Sequence, residues 1–178
     1  ALVGERDERA IRAAAEVLSD RFAQRRLTLE VIADRLADGI RLVDVLASEP
    51  ALRDAFDTGL VVLDHNSAVV EKWQPGVVWS PVPQQETSSW IVDHDTSVPM
   101  IIIQTRSTHG AVRLLGGLSL TSLNVPGALG VIRDNPNVRL YLVADDGHIL
   151  EDTAGTAVGT TAKDWPGVNF EALQHSLV

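Results

Sequence analysis

Apolar residues recur at helical spacing near the start of the chain. They are separated by three, four or seven positions, with charged residues between them: Ile11, Ala15, Leu18, Phe22, Leu29, Ile32 and Leu36. Because an α-helix turns once every 3.6 residues, this spacing places them on one face. The pattern predicts a long amphipathic helix over residues 5–38, with a break permitted at Gly39. Two shorter helices are predicted over 40–47 and 51–56, the second with Ser48 as its N-cap.

The remaining pattern predicts antiparallel β-structure. Apolar segments rich in β-branched residues alternate with polar turns, as they do in β-hairpins. The predicted strands comprise a hairpin within residues 59–73, a weak strand near 89–92, two strong strands over 99–105 and 111–120, and a second hairpin within 138–152. The pattern lacks the strand–helix–strand alternation of a doubly wound parallel sheet. We therefore predict an α+β fold in which the long helix covers one face of a five-stranded antiparallel sheet.

The composition and the net charge of the chain exclude several classes of function. The 178-residue chain is 45% hydrophobic, which is enough for a core, and its net charge is −9. Nucleic acids and anionic lipid surfaces are bound through clustered Lys and Arg, so neither is an expected partner. The absence of cysteine excludes disulfides, thiolate catalysis and cysteine-ligated zinc. No apolar run approaches the ~20 residues that cross a bilayer, so a membrane is reached only through segments outside this chain.

One face of the strand over 99–105 suits a binding pocket. Alternation places Met100, Ile102, Gln104 and Arg106 on this face and leaves a purely apolar face for the helix. Arg113 begins the following strand. An arginine binds a small carboxylate through two parallel hydrogen bonds. Gln104, Arg106 and Arg113 are therefore candidate ligand-binding residues; the alternative is that both arginines face solvent near a hairpin turn.

The long polar segment over residues 74–97 supplies the other candidates. Loops of this length in compact domains are usually functional. Aromatic side chains form rigid pocket walls, which predicts that Trp79 and Trp90 line the pocket; the alternative is that they fill the core. Asp93 and His94 are predicted to anchor a ligand at the mouth of this pocket.

The Asp93-His94-Asp95 segment is also the strongest enzyme-like signal. Together with Asp64 and His65 it suggests a metal-dependent hydrolase as one alternative. Adjacent residues of an extended segment point to opposite sides, however, so His94 does not converge with its two neighbours. The chain has no nucleophile elbow, phosphate-binding loop or His-Glu-x-x-His motif. No catalytic residue, metal or cofactor is therefore predicted.

The order of these segments resembles that of one family. The long helix is followed by Phe56–Asp64, the Trp-bearing loop, Pro99–Gln104, the glycine-containing Leu114–Leu120 and the hairpin Leu140–Leu150. This order is similar to that of Cache domains, the PAS-like extracytoplasmic sensors of bacterial histidine kinases, chemoreceptors and cyclic-dinucleotide enzymes. The similarity covers most of residues 5–152. The Trp-Tyr pair of the amino-acid-binding subgroup is missing, so amino-acid recognition is not implied.

The resemblance implies a non-catalytic sensor outside the cytoplasm, belonging to a membrane-bound receptor. Such a domain binds a small molecule on its PAS-like sheet and signals through its N-terminal helix. Residues 1–57 would then be the helical part and 58–135 the sensor module. Residues 136–178 would be an additional hairpin and tail, which either joins the main sheet or begins a second, membrane-proximal module.

A homodimer through the long helix is also expected. The helix is longer than one PAS-sized sheet can cover, and Ile11, Leu18 and Phe22 have the spacing of residues that pair between parallel helices. The remaining alternative function is a dimerisation or interaction module that binds no small ligand.

Overall fold

The described residues form three helices followed by seven strands, with one further helical turn over 125–128 between the fifth and sixth strands. This computed structural model describes residues 5–75, 90–93, 100–108, 110, 112–128, 141–143, 147 and 149–152, without the side chains of 5–7 and 90–93. The elements are α1 (Glu5–Ala37), α2 (Leu42–Ser48), α3 (Ala51–Ala55), β1 (Gly59–Leu63), β2 (Val69–Trp73), β3 (Trp90–Asp93), β4 (Met100–Arg106), β5 (Arg113–Ser119), β6 (Tyr141–Val143) and β7 (Ile149–Asp152). The predicted α+β class and long N-terminal helix are confirmed.

The contacts divide the chain into two compact units. One consists of residues 19–123, and the other consists of residues 1–18 together with 124–178. None of the described helices combines the length and the apolar character that crossing a membrane requires.

Helix α1 ends where the sequence predicts, in a hydrogen-bonded motif built on glycine. Gly39 has a φ of +88°, its N–H donates to the Leu36 carbonyl at 3.1 Å, and the Ile40 N–H donates to the Arg35 carbonyl at 3.2 Å. This pair of bonds is the Schellman motif, which satisfies carbonyls at the end of a helix. Leu29 and Leu36 of the predicted apolar stripe are buried.

The predicted N-cap of the third helix is wrong. Helix α3 follows Pro50, and Ser48 is instead the last residue of α2. The Ser48 hydroxyl donates to the Val45 carbonyl at 2.9 Å, because Ser48 still lies within the last turn of α2 and its side chain bonds back into that turn. At the other end of α2, the Glu71 carboxylate on β2 accepts a hydrogen bond from the Leu42 N–H at 2.8 Å.

The main sheet lies within residues 59–119 and is antiparallel. Four strands with described side chains have the order β2-β1-β5-β4, and β3 pairs with the outer edge of β4. Strands β4 and β5 pair over seven residues each, from Met100 opposite Ser119 to Arg106 opposite Arg113. Strand β1 therefore has β2 on one side and β5 on the other.

One face of this sheet packs against helix α1. Gly116 of β5 is opposite Leu60 on β1 and Ile103 on β4. A Cβ placed on Gly116 would lie 2.6 Å from Cδ1 of Phe56 and 2.9 Å from Cδ2 of Leu29. The apolar face of β4 therefore lies under the helix, as predicted, and the glycine allows a close approach of Phe56 and Leu29.

The other face of the sheet has its own apolar cluster. Its members alternate with the residues of the helix-facing side and are each 1% exposed: Val61, Leu63, Met100, Ile102 and Leu115. We call these five residues the second-face cluster. The mixed face that the sequence predicts for a pocket is thus apolar and buried at its centre.

The second hairpin forms a sheet of its own. Strands β6 and β7 are antiparallel and separate from the main sheet, with Tyr141 opposite Asp152. Gly147 between them has a φ of +92°, as expected for the predicted turn. Among the described residues, β6 and β7 pair with each other alone, and the assignment of residues 136–178 to the main sheet or to a second module stays a prediction.

Candidate functional site

Two of the predicted site residues face each other at the end of the β4–β5 hairpin. Arg106 is directly opposite Arg113, and Gln104 is opposite Leu115. Opposite residues of antiparallel strands lie on the same face, as do residues two apart on one strand. The two guanidinium groups and the Gln104 amide therefore share the face of the second-face cluster. Arg106 is exposed, whereas Gln104 and Arg113 are half-buried.

These polar side chains adjoin the second-face cluster. Leu63 is opposite Arg113 on the neighbouring strand, and Leu115 is two residues from Arg113 on the same strand. The result is a sheet face with a buried apolar centre and a cationic end at Arg106 and Arg113. Gln104, Arg106 and Arg113 each have a further contact within the protein, so a ligand would add to or replace existing contacts.

The arginine pair is an unusual use of positive charge in an acidic chain. The chain has 15 Lys and Arg against 24 Asp and Glu, yet two arginines occupy directly opposite positions on one face. Like charges at opposite positions of two strands repel each other. Any carboxylate or phosphate that accepts hydrogen bonds from both guanidinium groups would offset this repulsion, whether it belongs to the protein or to a ligand.

The turn that joins the two arginines is tightly hydrogen-bonded. The Ser107 N–H donates to the Val112 carbonyl at 2.9 Å, and the Gly110 N–H donates to the Ser107 carbonyl at 2.8 Å. The Val112 N–H donates to the Ser107 hydroxyl oxygen at 3.2 Å, and Ser107 is 4% exposed. The backbone next to Arg106 and Arg113 is therefore held by several bonds.

The other predicted site residues are only partly described. Trp79 and His94 lie outside the described residues. Trp90 and Asp93 begin and end β3, where their backbones are opposite Ile103 and Met100, but their side chains are not described. The ligand-binding roles of these four residues therefore stay predictions.

The structure assigns Asp64 to a turn. Its Oδ1 accepts hydrogen bonds from the Asn66 N–H at 2.8 Å and the Ala68 N–H at 2.9 Å, while Ser67 has a φ of +66°. Aspartate commonly closes turns in this way. Within the described part of the chain, no group of three or more His, Asp or Glu side chains is placed to hold a metal ion. Asp64 therefore has a structural role in this turn. Its predicted contribution to a metal site with Asp93 and His94 stays a prediction, because the side chains of those two residues are not described.

Three carboxylates that sequence reasoning missed make contacts between distant segments. The first is Glu71, which accepts the hydrogen bond from the Leu42 N–H described above. The second is Asp57, which accepts hydrogen bonds from the Ser119 N–H at 2.9 Å and the Ser119 hydroxyl at 2.5 Å. The third is Asp34, which accepts hydrogen bonds from the N–H and the hydroxyl of Thr108. Only Asp34 has a signal in the sequence. It lies in the last turn of α1, where the helix dipole disfavours a carboxylate.

Comparison with known proteins identifies no relative of this chain. No protein-family model matches the sequence, and no curated protein or solved structure is significantly similar to it. The resemblance to Cache domains therefore stays a prediction, and the site has to be interpreted from its own geometry.

Proposed function

We propose that the chain is a non-catalytic ligand-sensing domain that binds a small organic anion at the Arg106–Arg113 pair. The observation that carries this proposal is the placement of two opposite arginines beside the second-face cluster. A guanidinium group binds a carboxylate through two hydrogen bonds. The second-face cluster is itself buried, so the short carbon skeleton of such an anion would lie at the edge of the cluster, beside the half-buried Gln104 and Arg113.

The sheet supports a PAS-like module. The fifth strand returns to pair with the first, giving the order β2-β1-β5-β4-β3. The resemblance implies a five-stranded antiparallel sheet covered by a long N-terminal helix, and here five strands are paired and such a helix packs on one face. The extracytoplasmic location, the receptor and its signalling output rest on the family resemblance alone. On that resemblance, β6 and β7 would begin a second, membrane-proximal module.

Binding of a carboxylate should raise the thermal stability of the purified chain. The panel is acetate, succinate and phosphate, each compared with sodium chloride of equal ionic strength, because anions also stabilise proteins non-specifically. A ligand at about 100 times its dissociation constant adds about 2.7 kcal/mol to the free energy of unfolding. Arg106→Gln and Arg113→Gln should each abolish the shift in Tm that the best anion produces.

The matched control is Arg53→Gln, which removes an exposed arginine of α3 and should keep the full shift. A shift that survives both Arg106→Gln and Arg113→Gln would place the binding site elsewhere, and no shift with any anion would contradict the proposal. A shift with a divalent metal that is lost in Asp93→Ala would support the hydrolase alternative instead.

An exposed stripe on α1 supports a homodimer as a second component of the proposal. Val17, Gln24 and Val31 are seven residues apart, and Leu27 lies between the last two. Val17 is 42% exposed, and Leu27 and Val31 are each 62% exposed. Val17 and Val31 occupy equivalent heptad positions fourteen residues apart, with Gln24 between them and Leu27 at the other core position. In a parallel two-stranded coiled coil of this register, Gln24 would face Gln24 of the second copy. Asp20 is a polar exception in this repeat.

This stripe replaces the dimer contact that the sequence predicts. Leu18 is buried within a single chain, and Ile11 and Phe22 are half-buried. These residues face the side of α1 that packs inside the protein. Apart from the exposed Ala15, the predicted apolar stripe is therefore used in the fold, and the exposed apolar residues of the same helix are left for a second copy.

Leu27→Glu combined with Val31→Glu is expected to shift the chain from dimer to monomer. Charged residues at both positions would oppose their own copies across a parallel pair. Sedimentation equilibrium measures the change in mass. Val43→Glu is the control, because Val43 is a 53% exposed valine on α2 and its replacement should leave the dimer intact. A monomeric wild-type chain would contradict the dimer.

A further inference from the structure

We infer that Asp34 is a positioning residue for the Arg106–Arg113 pair, acting through Thr108 in the turn between the two strands. This inference rests on the anion site proposed above and adds a residue, and a path to helix α1, that the site itself does not include.

The contact between Asp34 and Thr108 is short and uses both donors of the threonine. The Thr108 N–H donates to Oδ1 of Asp34 at 2.6 Å. The Thr108 hydroxyl lies 2.7 Å from Oδ1 and 2.6 Å from Oδ2. Hydrogen bonds to a charged acceptor are roughly twice as strong as those between neutral groups. One carboxylate on α1 therefore holds both the backbone and the side chain of a residue 74 positions away.

Thr108 is coupled to both arginines through the short turn. Ser107, next to Thr108, is the neighbour of Arg106, and Val112 is the neighbour of Arg113. Ser107 and Val112 are joined by the 2.9 Å and 3.2 Å hydrogen bonds described above. A displacement of Thr108 therefore moves the backbone of Arg106 and Arg113, and with it their guanidinium groups.

The helix side of the contact is rigid. Ile32 and Ala33 precede Asp34 and are 2% and 0% exposed, and the Schellman motif closes the helix a few residues later. A carboxylate this close to the end of a helix is unfavourable for the helix dipole, and aspartate is a poor helix former. Helix stability therefore does not account for Asp34, whereas its contacts with other segments do, those with the two donors of Thr108 among them.

The coupling has to be reciprocal. If the Asp34–Thr108 contact raises the affinity of the arginine pair for an anion, the bound anion strengthens this contact by the same factor. Anion binding should therefore slow hydrogen exchange of the Thr108 N–H, which lies outside the anion site. The same contact connects occupancy of the site to the C-terminal turn of α1.

The test measures the affinity of the full chain for succinate, together with hydrogen exchange at Thr108. Thr108→Val removes the hydroxyl donor and Asp34→Asn removes the charge, and each should weaken succinate binding about 5-fold or more. Thr108→Ser keeps the hydroxyl and should bind succinate with the affinity of the wild type. A merely structural role would not separate Thr108→Ser from Thr108→Val by affinity while both remain folded.

The matched control is Asp57→Asn, which weakens a different carboxylate contact, the one that Asp57 makes to β5. Asp57 holds Ser119, the end of β5 opposite to Arg113, roughly 20 Å away at the rise of an extended strand. It should lower stability and leave succinate affinity unchanged. Binding that is equally tight in wild type, Thr108→Val and Asp34→Asn would overturn the inference and leave the anion site standing. If the wild type binds none of acetate, succinate and phosphate, both the inference and the anion site are overturned.

Discussion

Replacing Phe56 with alanine is expected to lower the free energy of unfolding by about 3–5 kcal/mol. Phe56 is 0% exposed, and its ring fills the space above Gly116 beside Leu29. Removing the ring loses its transfer energy and leaves a cavity. Small proteins have total stabilities of about 5–15 kcal/mol, so this one substitution removes a large part. Urea unfolding followed by far-UV circular dichroism should show a lower midpoint with an unchanged slope.

Two comparisons make this prediction specific. Val43→Ala truncates a valine that is 53% exposed and should change stability by no more than about 0.5 kcal/mol. Gly116→Ala should destabilise the wild type, because its methyl group would meet the Phe56 ring, but it should cost less in the Phe56→Ala background, where the cavity accepts it. Additive effects of the two substitutions would contradict the proposed contact.

Replacing Gly59 with alanine is expected to cost about 2–5 kcal/mol, from backbone strain and overpacking together. Gly59 begins β1 with a φ of +126°, in a region that residues with a side chain rarely adopt. A Cβ at this position would also overlap the Trp73 carbonyl oxygen and lie 2.9 Å from Cα of Gln74. Backbone atoms cannot move aside as a flexible side chain can, so the strand pairing has to shift.

Gly39→Ala is the matched control for Gly59→Ala. Gly39 also has a positive φ, of +88°, but a Cβ there meets nothing within 4 Å. Gly39→Ala should therefore lower the free energy of unfolding by the backbone strain alone, about 1–2 kcal/mol. The difference between the two variants in urea unfolding measures the overlap with the β2 backbone. If the two variants lose equal amounts of stability, the overlap at Gly59 is relieved by a shift of the backbone that costs no free energy.

The elements that the sequence predicts well are those specified by local chemistry. The stripe from Leu29 to Leu36 predicts a buried helix face because only residues within two turns decide it. Gly39 ends that helix because a left-handed residue is needed there. Ser48 shows the limit of local reasoning, since a serine before a proline suits both the start of one helix and the last turn of another.

The candidate site is predicted in part for the same reason. Alternation along β4 correctly places Gln104 and Arg106 on the face opposite to the helix. That Arg113 lies directly opposite Arg106 depends on the register of β4 with β5, and a shift of one residue would have put it on the other face.

The sequence by itself determined the class of the fold, the long helix with its end at Gly39, and the alternation of the strands, because these depend on neighbours within a few residues. Only the tertiary structure decided the order of the strands, the opposition of the two arginines, and the contact between Asp34 and Thr108. Such contacts join residues far apart in the chain, and their energies arise only once folding has brought those residues together.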